Sequence, residues 1–164
     1  MTTIAQLTEK MIAFYKGNLA DIHHFLCVWA YAKTIGEEEG LDEKTQFLLE
    51  ATAVLHDISR PLCREKYGNT DGRHQEEESP ALVRDFLADS GFDAELIDRI
   101  SYLIAHHHTM TGIDGIDYQI LIEADFLVNA YEEGLPKRNI KKFRDKIFRT
   151  ETGIHYLNEL FALD

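Results

Sequence analysis

The chain has 164 residues, of which 45% are hydrophobic and 28% are charged, so its length fits one domain with a sizeable core and excludes a disordered or fibrous protein. Its formal net charge of -12 disfavours a nucleic-acid-binding surface, because backbone phosphates require a basic face. The same charge would repel a small anionic substrate unless a bound divalent cation reversed the local field.

Apolar residues recur at spacings of three and four along most of the chain, which predicts an all-helical protein. The first helix is expected over about residues 3–15, and the second begins near Leu19. Asp42 can cap a third helix that must end before Pro61. Further helices are predicted after Asp93 and through residues 120–131, and the last two begin at Pro136 and Thr150.

The stretch from Ser59 to Ser79 lacks helical periodicity and contains proline, Gly-Asn and Asp-Gly turn signals, so it is predicted to be a long loop. Such a loop within a compact domain is usually functional or disordered. Ser79 followed by Pro80 predicts a helix that opens there, with proline at its first position.

The adjacent pair His56 and Asp57 ends an apolar helix, where a charged carboxylate without a partner would be costly and a metal ion would offset the cost. His24 and Asp125 also lie in apolar helices, and together the four residues form a mixed nitrogen and oxygen ligand set. The alternative is a capping Asp beside a surface His. Helical phase does not decide between His24 and its neighbour His23.

Other histidines could add ligands for a second ion. His74 lies in the predicted loop, and three histidines follow a helix whose inward face carries Ile100, Leu103 and Ile104. Helical phase favours His107 and His108 over the preceding histidine as inward-facing groups. The alternative is a group of surface histidines that suit the negative end of the helix.

Four basic residues follow the His56-Asp57 pair and are candidates for binding phosphate: Arg60, Arg64, Lys66 and Arg73. The guanidinium fork suits a phosphate group better than an ammonium does, so arginine is preferred. The alternative is solvated loop charge. Glu123 points to a different side of its helix from Asp125, so we expect a supporting or structural role for it.

The pattern of one His, then His-Asp, then Asp resembles the HD-domain metal-dependent phosphohydrolases. The matching segments are HFLCV at His24, AVLHDI at His56 and Asp57, and EADFL at Asp125; this resemblance selects His24 over His23. Three positions depart from the pattern of many relatives: Ser59 and Arg60 replace the Gly-Lys of HD-x-GK, and Val128 replaces a further Asp.

The resemblance implies an all-α, single-domain helical bundle of about six to seven helices, with its motif-bearing core at about residues 20–135 and C-terminal helices at 136–164 packed on it. It also implies one or two divalent metal ions (Mn, Fe, Mg, Zn, Ni or Co). His24, His56, Asp57 and Asp125 would be the ligands, and His74, His107 and His108 would serve a second ion.

The function expected from this resemblance is hydrolysis of a phosphoester or phosphoanhydride of a small molecule, with nucleotides among the candidates. His56, Asp57 and Arg60 would be catalytic, and a metal-activated water would attack. Two alternatives remain: a di-iron oxygenase with the same fold, and a non-catalytic scaffold that binds a nucleotide or a partner protein.

Cysteine usage and the N-terminal sequence give expectations about location. Cys27 and Cys63 form no CxxC pair, which favours a reducing compartment, and no segment resembles a signal peptide or membrane span. We therefore expect a cytoplasmic protein that binds a small phosphorylated substrate and neither a membrane nor nucleic acid. The sequence leaves open whether it forms homo-oligomers.

Overall fold

The computed structural model describes residues 1–164 and contains nine α-helices and no strands. The predicted all-helical class is confirmed. The bounds are α1 Ile4–Phe14, α2 Leu19–Glu38, α3 Glu43–Leu55, α4 Arg60–Tyr67, α5 Gly72–Leu87, α6 Ala94–His106, α7 Ile116–Glu132, α8 Lys137–Ile147 and α9 Glu151–Leu160.

The helix starts follow from local side-chain chemistry. Thr3 and Gln6 form a reciprocal capping box at α1. Asp42, Asp93 and Thr150 each accept a hydrogen bond from a backbone N–H in the first turn of the following helix, as their positions in the sequence predict. These caps determine where α3, α6 and α9 begin.

The centre of the bundle is the packing of α2 against α3 and α7, with α6 against α3. Helix α7 is enclosed along most of its length, including Leu121, Ala124 and Leu127. Polar side chains within α7 are therefore withdrawn from water and require specific partners. Two of these polar side chains are Glu123 and Asp125, and both are buried.

Glu123 is the structural carboxylate of α7, in agreement with the expectation from its helical position. It is fully buried and accepts hydrogen bonds from the backbone N–H groups of Arg149 and Thr150, the Thr150 hydroxyl and the Gln119 amide. It therefore anchors the start of α9 to the centre of the bundle.

The count of about six to seven helices is too low, since the structure has nine. The eight helices expected individually along the sequence are present, and the ninth, α4, lies with the first half of α5 in the predicted loop between Ser59 and Ser79. Periodicity missed these helices because the residues that they bury are few and mostly polar. In α4 only Cys63 is buried, and the first half of α5 buries Gln75 and Ser79.

The predicted helix start at Ser79-Pro80 is also wrong, because Pro80 lies inside α5, which begins at Gly72. Proline usually disrupts a helix interior because it lacks the amide hydrogen and its ring crowds the preceding turn. Here the Ser79 hydroxyl lies 2.5 Å from the Gln75 carbonyl oxygen and 2.9 Å from the Ser59 hydroxyl. Side-chain contacts thus tie this part of α5 to the start of α4.

No helix combines the length and the apolar content that crossing a lipid bilayer requires.

Candidate metal centre

The four ligand candidates come together at the centre of the bundle. His24 lies on α2, His56 is the C-cap residue of α3, Asp57 follows it, and Asp125 lies on α7. All four residues are buried, and none is more than 8% exposed. His23, the neighbour that helical phase could not exclude, is exposed.

The facing ligand atoms lie at nearly uniform distances. His24 Nε2 is 3.2 Å from His56 Nε2, Asp57 Oδ2 and Asp125 Oδ1. His56 Nε2 is 3.4 Å from each of the same two carboxylate oxygens. Two ligands at right angles around an ion with bonds of 2.0–2.2 Å lie about 3 Å apart, so this spacing suits a shared cation.

The outer nitrogens of both imidazoles have their own acceptors. His24 Nδ1 lies 2.8 Å from Glu132 Oε1, and His56 Nδ1 lies 2.7 Å from the backbone oxygen of Ala53. An Nδ1–H group that donates to these acceptors leaves Nε2 as the nitrogen that faces the cluster, which is the arrangement that metal-binding histidines usually have.

Unpartnered atoms support the fit to a metal ion. Asp125 Oδ1 and His107 Nε2 are buried and make no hydrogen bond. In addition, His24 Nε2 and His56 Nε2 are close enough that a hydrogen on both would place two donors against each other. A divalent cation would bind the lone pairs of these nitrogen and oxygen atoms together. Imidazole and carboxylate ligands suit hard or borderline metal ions.

The two carboxylates favour positive charge on the histidines. Burial lowers the pKa of His24, but Asp125 and Asp57 outweigh it and raise the pKa to about 11. Burial likewise opposes the charged form of His56, whose pKa the carboxylates raise to about 10. In return, and against burial, the imidazoles hold the pKa of Asp57 and of Asp125 below the usual range. Without a metal, the cluster therefore takes up protons.

His107 adds a fifth buried group at the edge of the cluster. It caps α6, its Nδ1 lies 2.6 Å from the Ile104 oxygen, and its Nε2 lies 3.5 Å from Asp57 Oδ1. His56, Asp57 and His107 form a second group of ligand atoms close enough to share a cation. A role for His107 beside a second ion stays a prediction that this position supports.

The other two candidates for the second ion lie differently. His74 stacks on the Tyr67 ring with centroids 3.8 Å apart, and its Nδ1 lies 2.9 Å from Asn69 Oδ1. It is not among the residues whose ligand atoms cluster. His108 packs its ring against His107 at 3.9 Å and is exposed.

A polar cleft of about 230 Å³ opens beside the cluster and shares Asp57 and Asp125 with it. Arg60 lies at its wall with Nη1 3.4 Å from Asp57 Oδ2. The Nε–H group of Arg60 is buried and unpartnered. This guanidinium is therefore held beside the cluster of ligand atoms, with donor capacity left for a bound molecule.

The other three basic candidates do not line the cleft. Arg64 donates to both carboxylate oxygens of Asp21, at 2.7 and 3.1 Å. Lys66 donates to Glu78, and Arg73 lies near Glu77 with 86% of its side chain exposed. Phosphate binding by these three residues stays a prediction, and their positions outside the cleft do not favour it.

Sequence reasoning missed Glu132, Asp21 and Tyr15. Glu132 contacts His24 from the last turn of α7, and Asp21 holds Arg64 and approaches Arg60 Nε at 4.0 Å. Tyr15 donates its hydroxyl to the backbone oxygen of Asp57 at 2.6 Å, and burial raises its pKa. One signal was available for Asp21, which lies three residues before His24, near the same side of a helix.

Comparisons with known proteins identify a family and a similar fold. The sequence matches the HD domain family over residues 21–143. A crystal structure of a predicted HD superfamily hydrolase from an uncultured Thermotogales bacterium is similar in fold, with a TM-score of 0.67 and 24% sequence identity over 97% of this chain and 83% of that chain. No curated protein matches the sequence. The family match includes all four clustered ligands, and the chain belongs to the HD domain family.

Proposed function

We propose that the protein is a metal-dependent phosphohydrolase that acts on a phosphoester or phosphoanhydride of a small molecule. The observation that carries the proposal is the cluster of two imidazole nitrogens and two carboxylate oxygens at 3.2–3.4 Å beside a cleft that contains Arg60. A non-catalytic scaffold has no need for a complete buried ligand set with a cleft beside it.

His24, His56, Asp57 and Asp125 would hold the ion. When bound, the ion supplies Lewis acidity, which acidifies a water and polarises a phosphoryl oxygen. In the hydrolysis a water oxygen forms a new bond to phosphorus, the P–O bond to the leaving group breaks, and the leaving oxygen takes up a proton.

The chain's own residues bind and orient the phosphoryl group. Arg60 can donate from Nε to a phosphoryl oxygen while Asp57 holds its Nη1 end. Asp21, bound by Arg64, is a second acidic neighbour of Arg60, with its Oδ1 4.0 Å from Arg60 Nε. This fixed guanidinium offsets the repulsion between an anionic substrate and a protein of net charge -12.

The test is metal analysis combined with phosphate release. We expect protein purified without a histidine tag to bind at least one divalent ion per chain and to release inorganic phosphate from p-nitrophenyl phosphate. Asp57→Ala should lose both properties while keeping its helical circular dichroism spectrum. Retention of metal and activity by this variant would refute the site.

The same measurement separates the alternatives. Two irons per chain and oxygen-dependent consumption of a substrate would favour the oxygenase, although His74 lies outside the cluster of ligand atoms. A chain that binds no metal even after reconstitution would favour the scaffold.

A further inference from the structure

The cleft beside the cluster of ligand atoms is lined by polar groups that can bind more of a substrate than its phosphate. None of its lining residues is hydrophobic. Beyond Arg60, Asp57 and Asp125, the walls are formed by Thr70, Gln75, His108, Asn129 and Glu133. Ligand sites in proteins are mostly apolar and occupy about 300–1,000 Å³, so a wholly polar cleft of about 230 Å³ is both small and chemically unusual.

Gln75 is the most informative of these residues. It lies on α5, is 2% exposed, and donates from Nε2 to the backbone oxygen of Thr70 at 2.7 Å. That contact fixes the amide, yet its Oε1 is buried and has no hydrogen-bond partner. A buried polar atom without a partner is costly, and in a cleft wall it indicates a ligand group that completes the hydrogen bond.

The remaining groups define what the ligand must offer. Gln75 Oε1 and the Glu133 carboxylate accept hydrogen bonds, and the Thr70 hydroxyl and the Asn129 amide can both donate and accept. A ligand with several hydroxyl groups matches such a set because each hydroxyl also both donates and accepts. No Phe, Tyr or Trp lines the cleft, and the imidazole of His108 in its wall already packs against His107, so the cleft offers little ring surface on which a nucleobase could stack.

We propose that this cleft binds the alcohol portion of a small polyhydroxylated phosphate monoester, and that Gln75 selects the substrate by accepting a hydrogen bond from one hydroxyl group. The inference rests on the proposed phosphohydrolase function, since the phosphoryl group would lie at Arg60 and the ligand cluster. Hydrolysis breaks the ester P–O bond, water supplies the new P–O bond, and the products are the free polyol and inorganic phosphate.

The experiment compares kcat/KM of the metal-loaded protein for four phosphate monoesters. We expect glycerol 3-phosphate and ribose 5-phosphate to exceed adenosine 5′-monophosphate and O-phosphoethanolamine by tenfold or more. A preference for the nucleotide would overturn the inference and leave the phosphohydrolase intact. A preference for the amine would overturn it in favour of an ammonium site. Failure to hydrolyse these esters and p-nitrophenyl phosphate would refute the proposed function itself.

A binding measurement removes the dependence on turnover. The phosphonate analogue of glycerol 3-phosphate, in which carbon replaces the scissile ester oxygen, should bind the metal-loaded protein at least tenfold more tightly than methylphosphonate does in calorimetry. Equal affinities would show that the cleft makes no use of hydroxyl groups and would overturn the inference.

Variants of Gln75 test whether this residue determines the preference for polyhydroxylated esters. Gln75→Leu keeps the approximate volume and removes the acceptor, so the ratio of kcat/KM for glycerol 3-phosphate to that for p-nitrophenyl phosphate should fall about tenfold, the equivalent of one hydrogen bond. Gln75→Glu keeps an acceptor and should retain more of the ratio than Gln75→Leu does. If Gln75→Leu fails to fold, Gln75→Met, which also removes the acceptor, measures the same ratio.

Gln46→Leu is the matched control. Gln46 also has a buried, unpartnered Oε1 and donates from Nε2 to the Lys33 oxygen and to Glu50, but it does not line the cleft. We expect it to leave the ratio unchanged. An equal fall in the ratio for Gln46→Leu and Gln75→Leu would show a general effect of losing a buried amide and would overturn the assignment.

Discussion

Glu132 Oε1 lies 2.8 Å from His24 Nδ1, and its Oε2 lies 3.1 Å from the same nitrogen, so this carboxylate holds the imidazole from the side opposite the ligand cluster. The contact joins the last turn of α7 to α2. A carboxylate in this place fixes the ring orientation and increases the basicity of the nitrogen that would bind a metal.

Glu132→Gln should weaken metal binding by about 10–100-fold, because the amide is a poorer acceptor and imposes no charge on the imidazole. Affinity measured by competition with a chromophoric chelator tests this expectation. Glu38→Gln, an exposed charge change at the end of α2, is the control and should bind metal like the wild type. Equal affinities for Glu132→Gln and the wild type would show that Glu132 has no orienting role.

Asp125 and Glu123 are two buried carboxylates two residues apart on α7, and their neutralisation should have different effects on metal binding. Asp125→Asn should abolish metal binding, and it should also lower the melting temperature of the metal-free protein near neutral pH, because it removes a carboxylate that pairs with the protonated imidazoles of His24 and His56. Glu123→Gln should bind metal normally but lower the free energy of unfolding by roughly 1–3 kcal/mol, because an amide cannot accept all the hydrogen bonds that start α9.

Thermal unfolding and metal titration of both variants check this contrast. Loss of metal binding in Glu123→Gln with an unchanged melting temperature would contradict the structural role of Glu123. Retained metal binding in Asp125→Asn would remove Asp125 from the ligand set.

The metal-free protein should lose stability as the pH rises above neutrality. The pKa of His24, about 11, and that of His56, about 10, are raised from the ordinary 6.5 by the carboxylates, against the effect of burial. A raised pKa contributes stability that is fully present below pH 6.5 and is lost as the pH rises through the folded-state pKa.

The lowered pKa values of Asp57 and Asp125 act in the other direction, because their contribution is present above the ordinary value of 3.8 and is lost as the pH falls through the folded-state values. Melting temperatures in chelator should therefore decline from pH 7 to pH 10. Saturating metal should reduce this decline, because metal binding displaces the protons. A rise over this range in chelator would contradict the protonated cluster.

Arg60→Ala should raise KM for a phosphorylated substrate by about tenfold or more and leave the metal content unchanged, because Arg60 lines the cleft and is not a ligand. Arg60→Lys keeps the charge without the fork and should recover only part of the loss. Arg84→Ala, on an exposed side chain that pairs with Asp98 outside the cleft, is the control with unchanged KM. An unchanged KM for Arg60→Ala would remove Arg60 from the phosphate site.

Local sequence signals predict part of the ligand cluster, because His56 and Asp57 end an apolar helix and Asp125 lies within one. The choice of His24 over His23 needed the family resemblance, since helical phase does not separate them. Glu132 could not be predicted in this way, since it is 108 positions from His24 and lies in an ordinary acidic turn. The helices between Ser59 and Ser79 were missed for a related reason. They pack polar side chains against the site, so their burial leaves no apolar periodicity to detect.

The ligands come from three helices that are far apart in the chain, and this separation makes a bound ion a cross-link. An ion held by His24, His56 and Asp125 would fasten α2, α3 and α7 together at one point. A ligand that binds only the folded state at 100 times its Kd stabilises that state by about 2.7 kcal/mol. Metal supply would then control not only turnover but also how often the bundle opens, and so how long each molecule survives proteolysis.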